Sequence, residues 1–177
     1  MELQADDCVL FFNNNNNMLY RYVSVIYLLI SSNEESDMIL MEKEQILTDG
    51  RIRKRNIPLA EKVQLNEDPL DAITRAINEE LSLYGYPDEN VVPITHTFQI
   101  LNETLKCMKK PPKESVSYPN LLCEYATYIV KITIDNLPKS EFQTFEKRAN
   151  GYQINKWYWV DINAARKMND DVDAYFK

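Results

Sequence analysis

Among the charged residues of NEDPLDAITRAINEELSL, positions 66–83, Glu67, Arg75, Glu79 and Glu80 stand eight, four and one residues apart. On a helix, Arg75 lies one turn from both Asp71 and Glu79, and Glu67 precedes the helix within reach of a long guanidinium side chain. Adjacent carboxylates beside an apolar stripe suit a hard divalent cation, Mg²⁺ or Mn²⁺, which takes carboxylate oxygens and keeps waters that phosphate can replace. The same pair also reads as a solvated acidic shoulder. A second charged set, Arg51, Arg53, Lys54 and Arg55, follows an Asp49-Gly50 turn. On a strand, Arg51, Arg53 and Arg55 share a face and can receive phosphate, or they protect an edge strand by charge.

The elements that must carry these residues are legible in outline. Asp68 is an N-cap, Pro69 takes the first helical position, and Leu70, Ile73, Ile77, Leu81 and Tyr84 form the apolar stripe. Ala76 and Glu80 lie on its shoulder, and Gly85 and Pro87 end the helix. VSVIYLLI (Val23–Ile30) reads as a buried strand, and Asp49-Gly50 joins two extended arms as a hairpin. Further strands are expected over Val91–Leu101, Leu121–Ile134 and Trp157–Val160, with a last helix capped by Asp161. The Asn13–Asn17 run and the basic stretch Lys106–Lys113 read as loops. The order is mixed α and β without regular alternation, which argues against a doubly wound parallel sheet.

The 23 residues from Glu61 to Leu83 resemble the Nudix box: Gly, five residues, Glu, seven residues, Arg-Glu, an aliphatic, one residue, Glu-Glu, one residue, Gly, an aliphatic. Glu67, Arg75, Ile77, Glu79, Glu80 and Leu83 match it; Glu61, Ala76 and Ser82 replace the first Gly, the Glu after Arg and the last Gly. The preceding DGRIRKRNIPLAEK is similar to the Arg-rich entry of divergent Nudix proteins. The resemblance implies an α/β/α sandwich with a mixed sheet. It implies metal-dependent hydrolysis of a nucleoside diphosphate linked to another moiety, with Mg²⁺ or Mn²⁺ as cofactor. Glu79 and Glu80 would be metal ligands and the catalytic candidates, Arg75 with Glu67 a structural brace, and Arg53 and Arg55 phosphate ligands. Ala76 can neither bind metal nor activate water, so the alternative is a catalytically inactive Nudix-fold module that binds a nucleotide or a protein. Glu141 and Glu146 fall where some members supply a further carboxylate, and otherwise read as exposed loop acids.

The remaining features bound the class. A chain of 177 residues with 45% hydrophobic and 27% charged residues accommodates one core, read as a domain over 18–177 behind an N-terminal extension, 1–17. A net charge of −7 argues against general nucleic-acid binding and leaves a small nucleotide-type ligand as the expected partner. Cys8, Cys107 and Cys123 lack metal or disulfide spacing and fit a reducing, cytoplasmic setting without a membrane anchor. Trp157 and Trp159 read as core, His96 as structural, and Lys62 as a minor phosphate candidate.

Overall fold

The alternation in MLYRYVSVIYLLIS builds a long strand near the middle of a mixed sheet. The computed structural model describes residues 8–32, 37–82, 94–115, 118–119 and 121–177. In chain order these form β1 (Val9–Asn13), β2 (Met18–Ser31), β3 (Met38–Ile46), β4 (Ile52–Val63), α1 (Pro69–Leu81), β5 (Phe98–Glu114), β6 (Leu122–Ile134), β7 (Phe142–Arg148), β8 (Gly151–Asp161), α2 (Ile162–Met168) and α3 (Asp170–Tyr175). The sheet runs β5-β6-β2-β4-β3-β8-β7, with β1 paired to β2. β2 and β6 are parallel and the other pairs antiparallel.

Period two divides β2 between two cores. Ile26, Leu28 and Ile30 join Ile73, Ile77 and Leu81 of α1, while Leu29 joins Ile39, Met41, Val172 and Tyr175 beside α2 and α3. The three large α1 residues are fully buried, a gross stabilisation of roughly 5–9 kcal/mol at about 1.5–3 kcal/mol each. The expected α/β/α sandwich is met as far as a mixed eight-stranded sheet with few helices, since helices of 13, 7 and 6 residues cover only part of it.

The expected helix, its Asp68 cap and the Asp49-Gly50 hairpin are present; Gly50 takes φ 82° and donates to Leu47 at 2.8 Å. Three loop or boundary expectations are corrected. Lys106–Lys113 belongs to β5, an edge strand whose pairing with β6 skips between Lys110 and Lys113, where Pro111 and Pro112 cannot donate. Residues 142–148, taken as loop, form β7, and β8 starts at Gly151 rather than Trp157. Val9–Asn13 forms a strand that pairs with Met18–Tyr22. Leu83, Tyr84, Gly85, Pro87 and the start of the strand expected from Val91 lie outside the described residues. No helix among those described is long and apolar enough to cross a membrane.

Candidate functional site

Arg75 is the hub of the first half of the site. Its Nε and Nη2 donate to Glu67 Oε1 and Oε2, both at 2.9 Å, and Nη2 also donates to the Lys62 carbonyl at 2.6 Å. Nη1 lies 3.6 Å from Glu61 and 3.6 Å from Glu79. One planar cation thus ties β4, the 64–68 loop and α1 together, a task that suits the guanidinium fork. Glu67 also closes its own loop, accepting from the Gln64 backbone N–H at 2.8 Å, with Asn66 at φ 66° in the turn. The Arg75 cation holds the Glu67 carboxyl below its usual range, and the carboxylates around Arg75 raise its own pKa.

Glu79 and Glu80 diverge. Glu79 is 46% exposed and leans toward Arg75, whereas Glu80 is buried. Ala72, Ala76 and Glu80 follow each other at one-turn steps on a row facing the sheet, and all three are buried. Glu80 Oε2 accepts from Asn155 Nδ2 at 2.5 Å; Asn155 Oδ1 accepts from Gln153 Nε2 at 2.8 Å; and Gln153 Nε2 also donates to Glu146 Oε2 at 3.1 Å. Arg148 closes the chain by donating to Glu146 Oε2 at 2.6 Å. Below it, Thr144 Oγ1 donates to the Glu80 carbonyl at 2.6 Å and accepts from Trp157 Nε1 at 2.8 Å, fixing the last turn of α1 on β7 and β8.

The electrostatics follow from putting acids together in a dry place. Burial, then the charges of Glu146, Glu42 and Glu61, push the Glu80 carboxyl well above its usual range. Burial likewise pushes Glu146 up to about 7, with Arg148 opposing and Glu61 and Glu79 adding to the rise. Glu61 is raised by its own burial, offset by the Lys62 N–H and Arg75. Glu42 Oε1 is buried with no hydrogen-bond partner among the described residues. These oxygens suit a hard divalent cation in kind. In number they fall short: among the described residues, no three His, Cys, Asp or Glu side chains are gathered closely enough to hold one ion.

The other expected residues separate. Arg55 is turned to Glu42, with its Nε donating at 2.8 Å and its side chain only 18% exposed, so it is committed inside the sheet. Arg53 is exposed and makes no hydrogen bond or ion pair among the described residues; in register it stands opposite Gln45, which stands opposite Asn155. Lys62 supplies its carbonyl to Arg75. Glu141 is 62% exposed and pairs with Lys43, an ordinary surface acid, but Glu146 is buried in the network rather than a loop acid. Trp157 and Trp159 pack in the α1 core, and His96 Nε2 sits 2.9 Å from the Leu81 carbonyl at the end of α1.

Gln153 and Asn155 escaped the sequence reading. Their signal was period two: 153, 155, 157 and 159 alternate along one strand that ends in the tryptophans, preceded by the hairpin pair Asn150-Gly151.

No family model matches the chain, and no curated protein sequence does. Among solved structures, a hydrolase of the NUDIX family from Clostridium perfringens is 14% identical, aligned over 85% of this chain and 96% of that one, with a TM-score of 0.37.

Proposed function

We propose that the chain is a divergent Nudix-type hydrolase that cleaves the phosphoanhydride of a nucleoside diphosphate linked to another moiety, with Mg²⁺ or Mn²⁺. The observation that carries this reading is the buried pair Glu80 and Glu146, two acids held on one amide chain with Arg148 as their charge partner among the described residues. Such an arrangement costs stability, and a function that uses the negative charge accounts for it. Glu79 and Glu80 would be the protein ligands of the cation, with waters completing its coordination; bound there it would neutralise charge on the phosphates. Arg75 and Glu67 keep the loop against α1, so Glu80 is presented from a fixed helix face. Hydrolysis joins water oxygen to phosphorus, breaks the bond to the bridging oxygen, and passes the water proton to a carboxylate of this set.

A second reading, a binding module without catalysis, is favoured by Ala76. Its methyl is fully buried among Ile73, Ile77 and Leu81, so the third helix acid of the box has been given over to packing. In the first reading the ligand is a small nucleotide-type molecule; in the second it is a nucleotide or a protein. The thiols of Cys8, Cys107 and Cys123 are free, in keeping with a reducing, cytoplasmic setting.

One assay separates the two readings. Nucleoside diphosphate sugars, dinucleoside polyphosphates and nucleoside triphosphates are incubated with the protein and millimolar Mn²⁺. The hydrolase releases phosphate or nucleotide only with metal, and Glu80→Gln abolishes release. No release from any substrate, with no Mn²⁺-induced rise in melting temperature, overturns the hydrolase.

A further inference from the structure

Two turns face each other at the end of the sheet beyond the Glu146 network. They enclose a cleft of about 320 Å³, lined by Thr48, Asp49 and Arg51 from the β3–β4 turn and by Arg148, Asn150 and Gln153 from the β7–β8 hairpin. That volume is at the small end of the ~300–1,000 Å³ of small-molecule sites.

We propose that this cleft is a phosphate subsite whose ligands are Arg51 and Arg148. The two arginines come from separate hairpins and line one concavity, in a chain whose net charge is −7. Each has one carboxylate contact, Arg51 with Asp49 at 2.7 Å and Arg148 with Glu146 at 2.6 Å, and each remains about half exposed or more, at 77% and 49%. A guanidinium carries five N–H donors, so each arginine keeps donors for a second acceptor. Thr48 and Asn150 add a hydroxyl and an amide on the same walls. Arg53, two residues beyond Arg51, is exposed and without an ion pair among the described residues, and adds positive potential at this end.

The floor gives the cleft its relation to the network. Gln153 lines it, and the Gln153 amide donates to Glu146 and to the Asn155 that holds Glu80. A phosphate on Arg51 and Arg148 therefore lies one side chain away from the acid pair. The implied ligand carries a second anionic group beside the bond to be cleaved, as a polyphosphate or a phosphorylated sugar diphosphate does. This substrate class rests on the hydrolase reading; phosphate capture by the two arginines does not.

The test is calorimetric titration with inorganic pyrophosphate at low salt in excess EDTA, so that no cation takes part. The intact chain is expected to bind. Arg51→Gln and Arg148→Gln should each weaken binding by about tenfold, the scale of one charge-assisted hydrogen bond lost. Lys109→Gln, on the far edge strand, should leave it unchanged. Arg51 is paired with Asp49 and Arg148 with Glu146, so the Arg51 variant reports on the cleft even where Arg148→Gln disturbs the network. Pyrophosphate affinity equal to that of the intact chain in both arginine variants, or no binding by the folded intact chain, overturns the subsite even where metal-dependent hydrolysis is found. Arginine-dependent binding by a chain that hydrolyses nothing supports the subsite and removes only the substrate class.

Discussion

Replacing Glu80 by Gln should make this protein more stable. The substitution keeps an oxygen to accept from Asn155 Nδ2 and removes a buried charge facing Glu146, Glu42 and Glu61. The repulsion is felt at Glu80, whose carboxyl is raised by burial and then by the charges of Glu146, Glu42 and Glu61. Removing the Glu80 charge relieves like-charge repulsion on the order of 1 kcal/mol. Glu80 adds the burial cost of its own charge, and a new amide N–H without a partner takes back about 1 kcal/mol. The net gain expected at pH 8 is roughly 1–3 kcal/mol, or about 2–10 °C in melting temperature for a chain of this size.

The pH dependence has a definite sign. A carboxyl whose folded pKa is raised takes up its proton more readily folded than unfolded, so stability is fully present below about 4.5 and lost as pH rises through about 7. The intact chain should therefore lose stability from pH 5 to 8, and the variant's advantage should grow over that interval. Urea denaturation of both proteins at pH 5, 6, 7 and 8 measures it. A variant less stable than the parent at pH 8, or an advantage that shrinks with rising pH, would show that Glu80 is not held in a repulsive, dry environment. Millimolar Mn²⁺ adds a functional arm: it should raise the parent's melting temperature and leave the variant's unchanged.

Three further outcomes are expected. Arg75→Ala should cost about 2–4 kcal/mol in urea denaturation, because it strands partly buried Glu67 and Glu61 as well as the Lys62 carbonyl. Ala76→Glu should cost more than about 4 kcal/mol by adding four heavy atoms and a charge to a fully buried position, and should express largely unfolded; a folded variant with Mn²⁺ affinity would contradict the packing described for α1. Glu44, drawn down to about 2 by Lys54 and Lys156, should lose its contribution as pH falls from about 4.5 to about 2, so Glu44→Gln should flatten that part of an acid-denaturation curve.

What could be read in the sequence was whatever followed local rules. The α1 start was legible because Asp68 and Pro69 each have one role at a helix N-terminus, and the β3–β4 hairpin because Asp49-Gly50 supplies a positive φ. The strand β7 was not, because the residues it buries include Thr144 and Glu146, and a strand with polar groups on its buried face looks like a loop to any hydrophobic pattern. β5 failed for the opposite reason: its lysines are solvated along an edge, and its register skips erase the alternation. The same split holds for the site. The Arg75–Glu67 spacing, eight residues across a loop, was visible in one window. The Glu80–Glu146 relation spans 66 positions and depends on two amides whose purpose exists only after β8 has paired with β7.

That distance in sequence changes how the buried alanine of α1 is read. An acid at position 76 would sit among Ile73, Ile77 and Leu81, so the helix as packed here has no room for one. The negative charge has instead accumulated on the sheet, where Glu61 on β4 and Glu146 on β7 lie within electrostatic range of Glu80. Glu61 also lies 3.6 Å from Arg75 Nη1, so this sheet acid faces α1 from β4. A double variant, Glu61→Gln with Glu146→Gln, tests that exchange. It should abolish any Mn²⁺ stabilisation as completely as Glu80→Gln does, while each single variant should weaken it in part. Were the double variant to keep the full shift, the sheet acids would have no share in cation binding, and the charge around Glu80 would be a feature of the fold alone.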